Sequence, residues 1–244
     1  MKLKVNSLFQ TFQQHQILSD INFETSSIQC LGIIGPSGGG KSTLLRILCG
    51  LDAPSSGSVS YGDSSQSSLD TSNERLQFRK KVGIVFQGYN LFSHLRAWDN
   101  LLLPLMRVHQ WPLSESVDRL DELLNRFQLR EHVQKFPHQL SGGQKQRMSI
   151  VRAIAHRPEM LFFDEPTSAL DPEMAAEVLQ MILELKTMGI KIVIVTHQMN
   201  FVKKVSDEIA FLAQGKLREF SQTLPLFTKP KNKEVADFIH KIIF

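Results

Sequence analysis

The chain has 244 residues, of which 42% are hydrophobic and 21% are charged. This size and composition exclude a disordered or fibrous protein and favour one domain, with a subdomain, around a substantial core. The formal net charge of +4 indicates no particular partner, and the basic residues lack the aromatic interleaving of a nucleic-acid groove. No apolar run approaches the roughly 18 residues of a membrane helix, and no secretory signal pattern is present. We therefore expect a cytosolic protein that does not bind nucleic acid.

The N-terminal part of the chain predicts strands before its first helix. Three β-type segments occur, and the last is an apolar run that ends at Gly35, as a buried central strand does; they span residues 2–5, 17–23 and 28–34. A helix is predicted over residues 41–51. Residues 54–72 are rich in Ser, Gly and Asp, and this composition predicts a solvated loop with hairpin turns. Cys30 and Cys49 lie in apolar segments and are predicted to be buried thiols.

The rest of the chain alternates between strand and helix patterns. Short apolar runs predict strands at residues 82–86, 160–163 and 190–195. Helical spacing of apolar residues predicts helices that begin at Ser114, at Ser141 and after Asp171. Residues 87–112 show no clear periodicity, so no element is predicted there. The alternation favours a mostly parallel sheet with helices on its faces, whose functional sites gather at the carboxyl ends of the strands.

A glycine-rich segment separates the third predicted strand from the helix that follows it. The segment matches the pattern GxxxxGK[ST] and, with the next residue, comprises Gly35, Pro36, Ser37, Gly38, Gly39, Gly40, Lys41, Ser42 and Thr43. In such a loop, backbone N–H groups surround phosphate oxygens and the helix N-terminus adds positive potential. Lys41 would reach the β- and γ-phosphates, and Ser42 would bind Mg²⁺. The loop therefore predicts nucleotide binding.

Two adjacent carboxylates, Asp164 and Glu165, directly follow the apolar run at residues 160–163. The end of a buried strand tolerates paired carboxylates poorly without a cation, and Mg²⁺ held through Asp164 would supply one. Glu165 would then orient or deprotonate an attacking water. The alternative is an acidic surface turn, which the four preceding apolar residues disfavour.

A second anion-binding pattern lies before the helix that begins near Ser141. The pentapeptide Leu140, Ser141, Gly142, Gly143 and Gln144 gives an N-cap and exposed backbone donors. Because the chain has one P-loop, this second pattern suggests that it binds the γ-phosphate held by another subunit. The sequence LSGGQ is the signature of the ATP-binding subunits of ABC transporters, and the chain resembles that family over nearly its whole length.

The resemblance implies roles for further residues. Phe12 resembles the aromatic residue that stacks on adenine. Gln87 resembles the glutamine that contacts Mg²⁺ and water and leads into a helical subdomain. His197 resembles the histidine that senses the γ-phosphate, so that Glu165, His197 and Gln87 form the expected catalytic set. The segment Ser168, Ala169, Leu170 and Asp171 resembles the D-loop at the dimer interface, although Asp171 is equally explained as a helix cap.

The resemblance also implies the fold. We expect an α/β protein with a P-loop NTPase core, a mostly parallel sheet, an N-terminal antiparallel β subdomain and an inserted α-helical subdomain. Residues 1–244 would form a single ABC ATPase domain. The core with the β subdomain would occupy residues 1–87 and 156–244, and the helical subdomain about residues 88–155.

The implied function is that of an ATP-hydrolysing transporter subunit on the cytoplasmic face of the cell membrane. The expected cofactors are ATP and Mg²⁺. The expected partners are a second ATPase subunit, favoured as a second copy, the membrane permease subunits and, indirectly, a solute-binding protein. The motifs around Gln87, Leu140 and His197 look most like those of polar amino-acid importers. Residues 100–105 resemble lipoprotein-release ATPases instead, so lipoprotein release, export and a soluble non-transport ATPase stay open as alternatives.

Overall fold

The computed structural model describes residues 2–26, 28–62 and 67–243. These residues form two compact units. One contains the described residues up to Arg79 and those from Lys191 onward, and the other is Lys80–Ile190. No described helix has the length and apolar character needed to cross a membrane.

An antiparallel sheet opens the first unit. It consists of β1 (Leu3–Phe12), β2 (His15–Glu24), β4 (Ser56–Tyr61) and β5 (Ser67–Ser68), in the spatial order β2-β1-β4-β5. Leu3, Val5 and Leu8 of β1 are buried and alternate with exposed residues, as in a sheet that covers a core with one face.

The prediction of a solvated loop over residues 54–72 is wrong where β4 forms. Val59 and Tyr61 are buried, and they pair with Val5 and Leu3 of β1. β4 is rich in Ser and Gly, so its local sequence gives no strand signal. Its apolar partner strand, β1, lies some 50 residues earlier in the chain, beyond the reach of a local pattern. Residues 63–66 of the predicted loop lie outside the described residues.

A second sheet of the first unit carries the parallel strands. β3 (Cys30–Ile34) pairs in parallel with β8 (Lys191–Val195) and with β9 (Glu208–Ala213), and β10 (Lys216–Gln222) pairs antiparallel with β9. All five residues of β3 are buried, as its apolar run predicted. The helices of this unit are α1 (Lys41–Leu48), α7 (Met199–Val205), α8 (Thr223–Thr228) and α9 (Lys233–Ile243), with most of α2 (Ser72–Lys81).

The second unit contains two parallel strands and most of the remaining helices. β6 (Val82–Val85) pairs in parallel with β7 (Met160–Asp164). The helices are α3 (Ala97–Arg107), α4 (Leu113–Arg126), α5 (Gly142–Ile154) and α6 (Pro172–Thr187), with 3-10 turns at Arg130–His132 and Pro137–Gln139. The predicted helices at Ser114, Ser141 and Asp171 correspond to α4, α5 and α6. Sequence reasoning missed α3.

The predicted fold class is confirmed: an antiparallel N-terminal sheet accompanies parallel strands and helices. Both cysteines are buried, as expected, and burial raises the pKa of the Cys49 thiol to about 12.

Candidate nucleotide site

The glycine-rich loop of the first unit connects β3 to α1. Gly35 has φ of 140°, and an added Cβ there would lie 1.9 Å from the Leu212 carbonyl oxygen, so only glycine fits. Gly40 occupies the N-cap of α1 with φ of 94°, and no side chain caps the helix at this position. The first turn of α1 also lacks an acidic residue. The N-terminus of α1 thus offers backbone donors and positive potential without a competing carboxylate from its own first turn.

The Lys41 side chain folds back over the same loop. Its Nζ donates a hydrogen bond to the Pro36 carbonyl oxygen at 2.9 Å, and the residue is only 8% exposed. Ser42 is exposed beside it, while Thr43 is half-buried. A backbone hydrogen bond also anchors the loop, because the Gly215 N–H donates to the Gly39 carbonyl oxygen at 3.2 Å. Lys41 is therefore held at the loop rather than extended into solvent.

Two other predicted residues, His197 and Phe12, belong to the first unit. His197 is exposed and follows β8, which pairs in parallel with β3, so His197 and the glycine-rich loop emerge at the same sheet edge. Phe12 ends β1 and is 47% exposed, opposite His15 of β2. The next part of β2 approaches the loop, because an added Cβ at Gly40 would lie 2.7 Å from the Leu18 side chain. The structure thus places His197 and the loop at one sheet edge, and it places Leu18 of β2 against the loop.

The second unit brings Gln87 and the two carboxylates together. Gln87 follows β6 and is exposed, while Asp164 ends β7 and Glu165 follows it, both half-buried. Because Val85 pairs with Phe163 in a parallel register, the three side chains emerge at the same end of this strand pair. All three residues supply oxygen atoms, the donor type that Mg²⁺ prefers.

The LSGGQ segment forms the N-terminus of α5. Ser141 is the N-cap: its Oγ accepts a hydrogen bond from the Gln144 N–H at 3.2 Å, and Gln144 Oε1 accepts one from the Ser141 N–H at 3.0 Å. These reciprocal bonds form a capping box. Leu140 and Gly143 are buried. The cap predicted for Ser141 is present, and Gln144 completes it.

The D-loop segment lies against the signature segment within the second unit. An added Cβ at Gly142 would lie 3.1 Å from Leu170 Cδ2, and the Gly143 N–H lies 3.3 Å from the Met174 sulfur. Asp171 caps α6, with Oδ1 accepting a hydrogen bond from the Met174 N–H at 2.9 Å. The cap explanation of Asp171 is therefore confirmed. Ser168 is half-buried and Ala169 is exposed.

Sequence reasoning missed Arg152, which fastens the segment after Gln87 to α5. Its guanidinium donates to the carbonyl oxygens of Asn90, at 2.7 Å, and Tyr89, at 3.1 Å. Both residues have a left-handed backbone, with φ of 50° and 60°. Burial lowers the pKa of Arg152. No sequence signal marks this role, because an arginine 60 residues away in the chain has no local pattern that links it to the loop.

Comparisons with known proteins agree with this geometry. The sequence profile of the ABC transporter family matches residues 18–168. The chain is 39% identical over 241 residues to the arginine transport ATP-binding protein ArtM of Bacillus subtilis (strain 168), covering 99% of this chain and 100% of ArtM. It is 39% identical over 228 residues to the glutamate/aspartate import ATP-binding protein GltL of Escherichia coli (strain K12), covering 93% and 94%. Among solved structures, the dimeric post-hydrolysis state of the ATP-binding cassette MJ0796 bound to ADP and Pi is similar, with TM-score 0.79, 30% identity, and coverage of 91% of this chain and 98% of that one.

The fold and the glycine-rich loop define a P-loop ATPase that binds and hydrolyses ATP. The chain belongs to the ABC transporter family, as the LSGGQ resemblance indicated.

Proposed function

We propose that this chain is the ATP-hydrolysing subunit of an ABC importer for polar amino acids. The observation that carries the proposal is the similarity, over nearly the whole of both chains, to ATP-binding proteins named for arginine and for glutamate/aspartate transport. In this role the chain is a peripheral protein at the cytoplasmic face of the cell membrane. Its partners are permease subunits and, through them, a solute-binding protein.

We further propose that two copies act together. The phosphate-binding loop lies in the first unit and the signature N-terminus of α5 in the second, and each is a helix N-terminus suited to an anion. In the proposed dimer, each ATP contacts Lys41 of one copy and Ser141 of the other. The dimeric state of the similar cassette bound to ADP and Pi supports this arrangement.

Each residue of the proposed catalytic set has a separate task. The loop N–H groups and Lys41 bind the phosphates, and Phe12 stacks on the adenine. Glu165 accepts a proton from the attacking water as its oxygen bonds to the γ-phosphorus and the bond to the bridging β–γ oxygen breaks. His197 and Gln87 orient the γ-phosphate and the water.

A magnesium ion fits the oxygen donors of Ser42, Gln87 and Asp164. When bound with ATP, Mg²⁺ neutralises charge on the phosphates. The proposed task of these three side chains is to hold it.

Uptake of radiolabelled arginine, glutamate and cystine, in cells in which this chain is the only source of the ATPase, tests the proposed transport role. We expect the Lys41→Ala variant to lose uptake of at least one of the three by about tenfold or more, since Lys41 supplies ground-state phosphate binding. The matched control is Lys204→Ala, which removes an exposed lysine on α7. Unchanged uptake of every amino acid tested, with loss of lipoprotein release or of an export activity, would overturn the proposal in favour of another ABC system.

A further inference from the structure

A histidine outside every family motif contacts the signature segment. His132 ends the 3-10 turn at Arg130–His132 in the second unit and is only 9% exposed. Its backbone is fixed on both sides, because its N–H donates to the Leu129 carbonyl oxygen and its own carbonyl oxygen accepts from the Lys135 N–H. Its Nε2 lies 3.1 Å from Nε2 of Gln144, the last residue of LSGGQ.

The hydrogen-bond roles in this contact follow from the backbone. The Ser141 N–H is a donor, so the Gln144 atom that faces it at 3.0 Å is the amide oxygen. The amide nitrogen of Gln144 therefore faces His132 as a donor. His132 Nε2 must accept this bond, which requires an imidazole that is neutral and carries its proton on Nδ1.

The surroundings of His132 favour the neutral form. Burial is the main cause of its lowered pKa, the cations of Lys135 and Arg147 add to it, and Glu131 opposes it. Nδ1 is buried and has no hydrogen-bond partner among the described residues, so the Nδ1–H that this contact requires stays unpaired, a cost that the hydrogen bonds of Gln144 must offset. Glu131 Oε1 lies 3.5 Å from Nε2. If Nε2 carried a proton, it would donate to Glu131 and could no longer accept the hydrogen bond from Gln144.

We propose that His132 is a positioning residue for the signature segment: its neutral imidazole accepts a hydrogen bond from Gln144 and thereby holds Ser141 in the conformation that meets the nucleotide of the second copy. A proton on Nε2 places two donors face to face and releases Gln144 from the capping box. The coupling to nucleotide rests on the proposed dimer. The positioning of Gln144 and Ser141 does not.

The first test measures ATP-driven dimerisation. The dissociation constant of the dimer with ATP and Mg²⁺ is determined by sedimentation in the Glu165→Gln background, at about pH 8 and about pH 5.5. His132→Phe removes the acceptor and is expected to weaken the dimer about tenfold at the higher pH. His132→Gln restores an acceptor oxygen near the Nε2 position and is expected to stay within about twofold of the parent.

The pH dependence separates positioning from simple packing. Once the pH falls below the lowered pKa of His132, which lies under the ordinary histidine value of 6.5, the parent should lose affinity relative to His132→Gln, which does not titrate. The matched control is His138→Gln, at an exposed histidine whose ring stacks on Phe136. Equal affinity of the parent and His132→Phe at both pH values would overturn the proposal.

The second test needs no dimer. Long-range ¹H–¹⁵N spectra of the full chain, labelled at histidine, report which ring nitrogen carries the proton. We expect His132 to carry its proton on Nδ1 at neutral pH, and we expect faster amide hydrogen exchange at Ser141 in His132→Phe than in His132→Gln. A proton on Nε2 at neutral pH would overturn the proposal, even if the Glu165→Gln protein dimerises. Conversely, failure of that protein to dimerise, with the expected tautomer, would count against the proposed dimer alone.

Discussion

Glu165 has a left-handed backbone, with φ of 48°, directly after β7. This conformation costs a non-glycine residue about 1 kcal/mol or more and is sustained by its surroundings. Here Ser168 contributes, because its backbone N–H and its hydroxyl both donate to the Glu165 carbonyl oxygen, at 3.3 Å and 3.0 Å. The backbone of the proposed general base is thus held in part by a residue of the D-loop segment.

Glu165→Gln is expected to separate chemistry from binding. It should lower kcat by roughly 10²–10⁴-fold, or about 3–5 kcal/mol of barrier, and spare ATP affinity, because the proton moves only along the reaction. Lys41→Ala should weaken ATP binding as well, since the phosphates are charged before the reaction. His197→Ala should resemble the glutamate variant.

Nucleotide affinity and single-turnover hydrolysis, measured for the three variants, check this division of roles. Glu173→Gln, an exposed glutamate in the first turn of α6, is the matched control and should behave as wild type. Near-normal hydrolysis by Glu165→Gln would refute the assignment of the base.

His156 contributes a stability that depends on pH. Its ring stacks on His109, with centroids 4.2 Å apart, and Nε2 is buried without a hydrogen-bond partner among the described residues. Burial, helped by the charge of His109, lowers the pKa of His156 from 6.5 to about 4. The His156 imidazole therefore binds a proton more readily in the unfolded chain than in the folded chain. The stabilisation is complete above pH 6.5 and is lost as the pH falls toward 4.

His156→Phe keeps an aromatic ring and removes the titration. Between about pH 7 and about pH 4.5, wild type should lose about 2 kcal/mol more unfolding free energy than this variant, after allowance for partial solvent screening. Urea unfolding at the two pH values measures the difference. His94→Phe, at an exposed histidine, should not change the pH dependence. An equal loss in wild type and His156→Phe would show that His156 does not cause it.

At the scale of elements, the segment after Gln87 combines internal anchoring with one exposed aromatic. Asn100 is fully buried; its amide donates to the carbonyl oxygens of Phe92, Leu95 and Arg96, and its Oδ1 accepts from the Phe92 N–H. Phe92 is 53% exposed, whereas Tyr89, Leu91 and Trp98 are half-buried. We propose these four side chains, which follow Gln87, as a permease-docking surface, and Phe92 is the one presented to solvent.

Phe92→Asp is expected to abolish permease-stimulated ATP turnover while ATP binding stays unchanged, because the charge would enter an apolar contact with the permease. The measurement is ATPase activity with and without the reconstituted permease. Leu113→Asp, at an equally exposed apolar residue that begins α4, is the matched control and should retain stimulation. If a folded Phe92→Asp protein is stimulated like wild type, the docking surface lies elsewhere.

The elements differ in how much the sequence reveals of them. The start of α6 was predictable, because Asp171 as N-cap and Pro172 at the first helical position act within one turn. α3 was not, because Pro104 lies inside the helix and the consecutive leucines before it obscure the helical period. β4 was missed because its pairing with β1 is a long-range contact.

At the scale of the molecule, the sequence located the motif residues but not the side chains that support them. The glycine-rich loop, Glu165 and Ser141 each belong to a short contiguous pattern, so their chemistry could be inferred locally. His132, Asn100 and Arg152 act through partners four to 63 residues away, and irregular contacts of this kind leave no periodic signal in one sequence. The structure supplies these positioning contacts.

Sedimentation of Glu165→Gln with ATP and Mg²⁺ tests the proposed division of roles between the two copies. The account predicts a dimer that retains two ATP. Adding Ser141→Arg should leave a folded monomer that still binds ATP, because in the proposed dimer Ser141 contacts the nucleotide of the other copy, whereas adding Lys41→Ala should impair ATP binding itself. A Glu165→Gln protein that stays monomeric at tens of micromolar, or about 10⁻⁵ M, with ATP bound and with the permease present to raise the local concentration, would contradict the account.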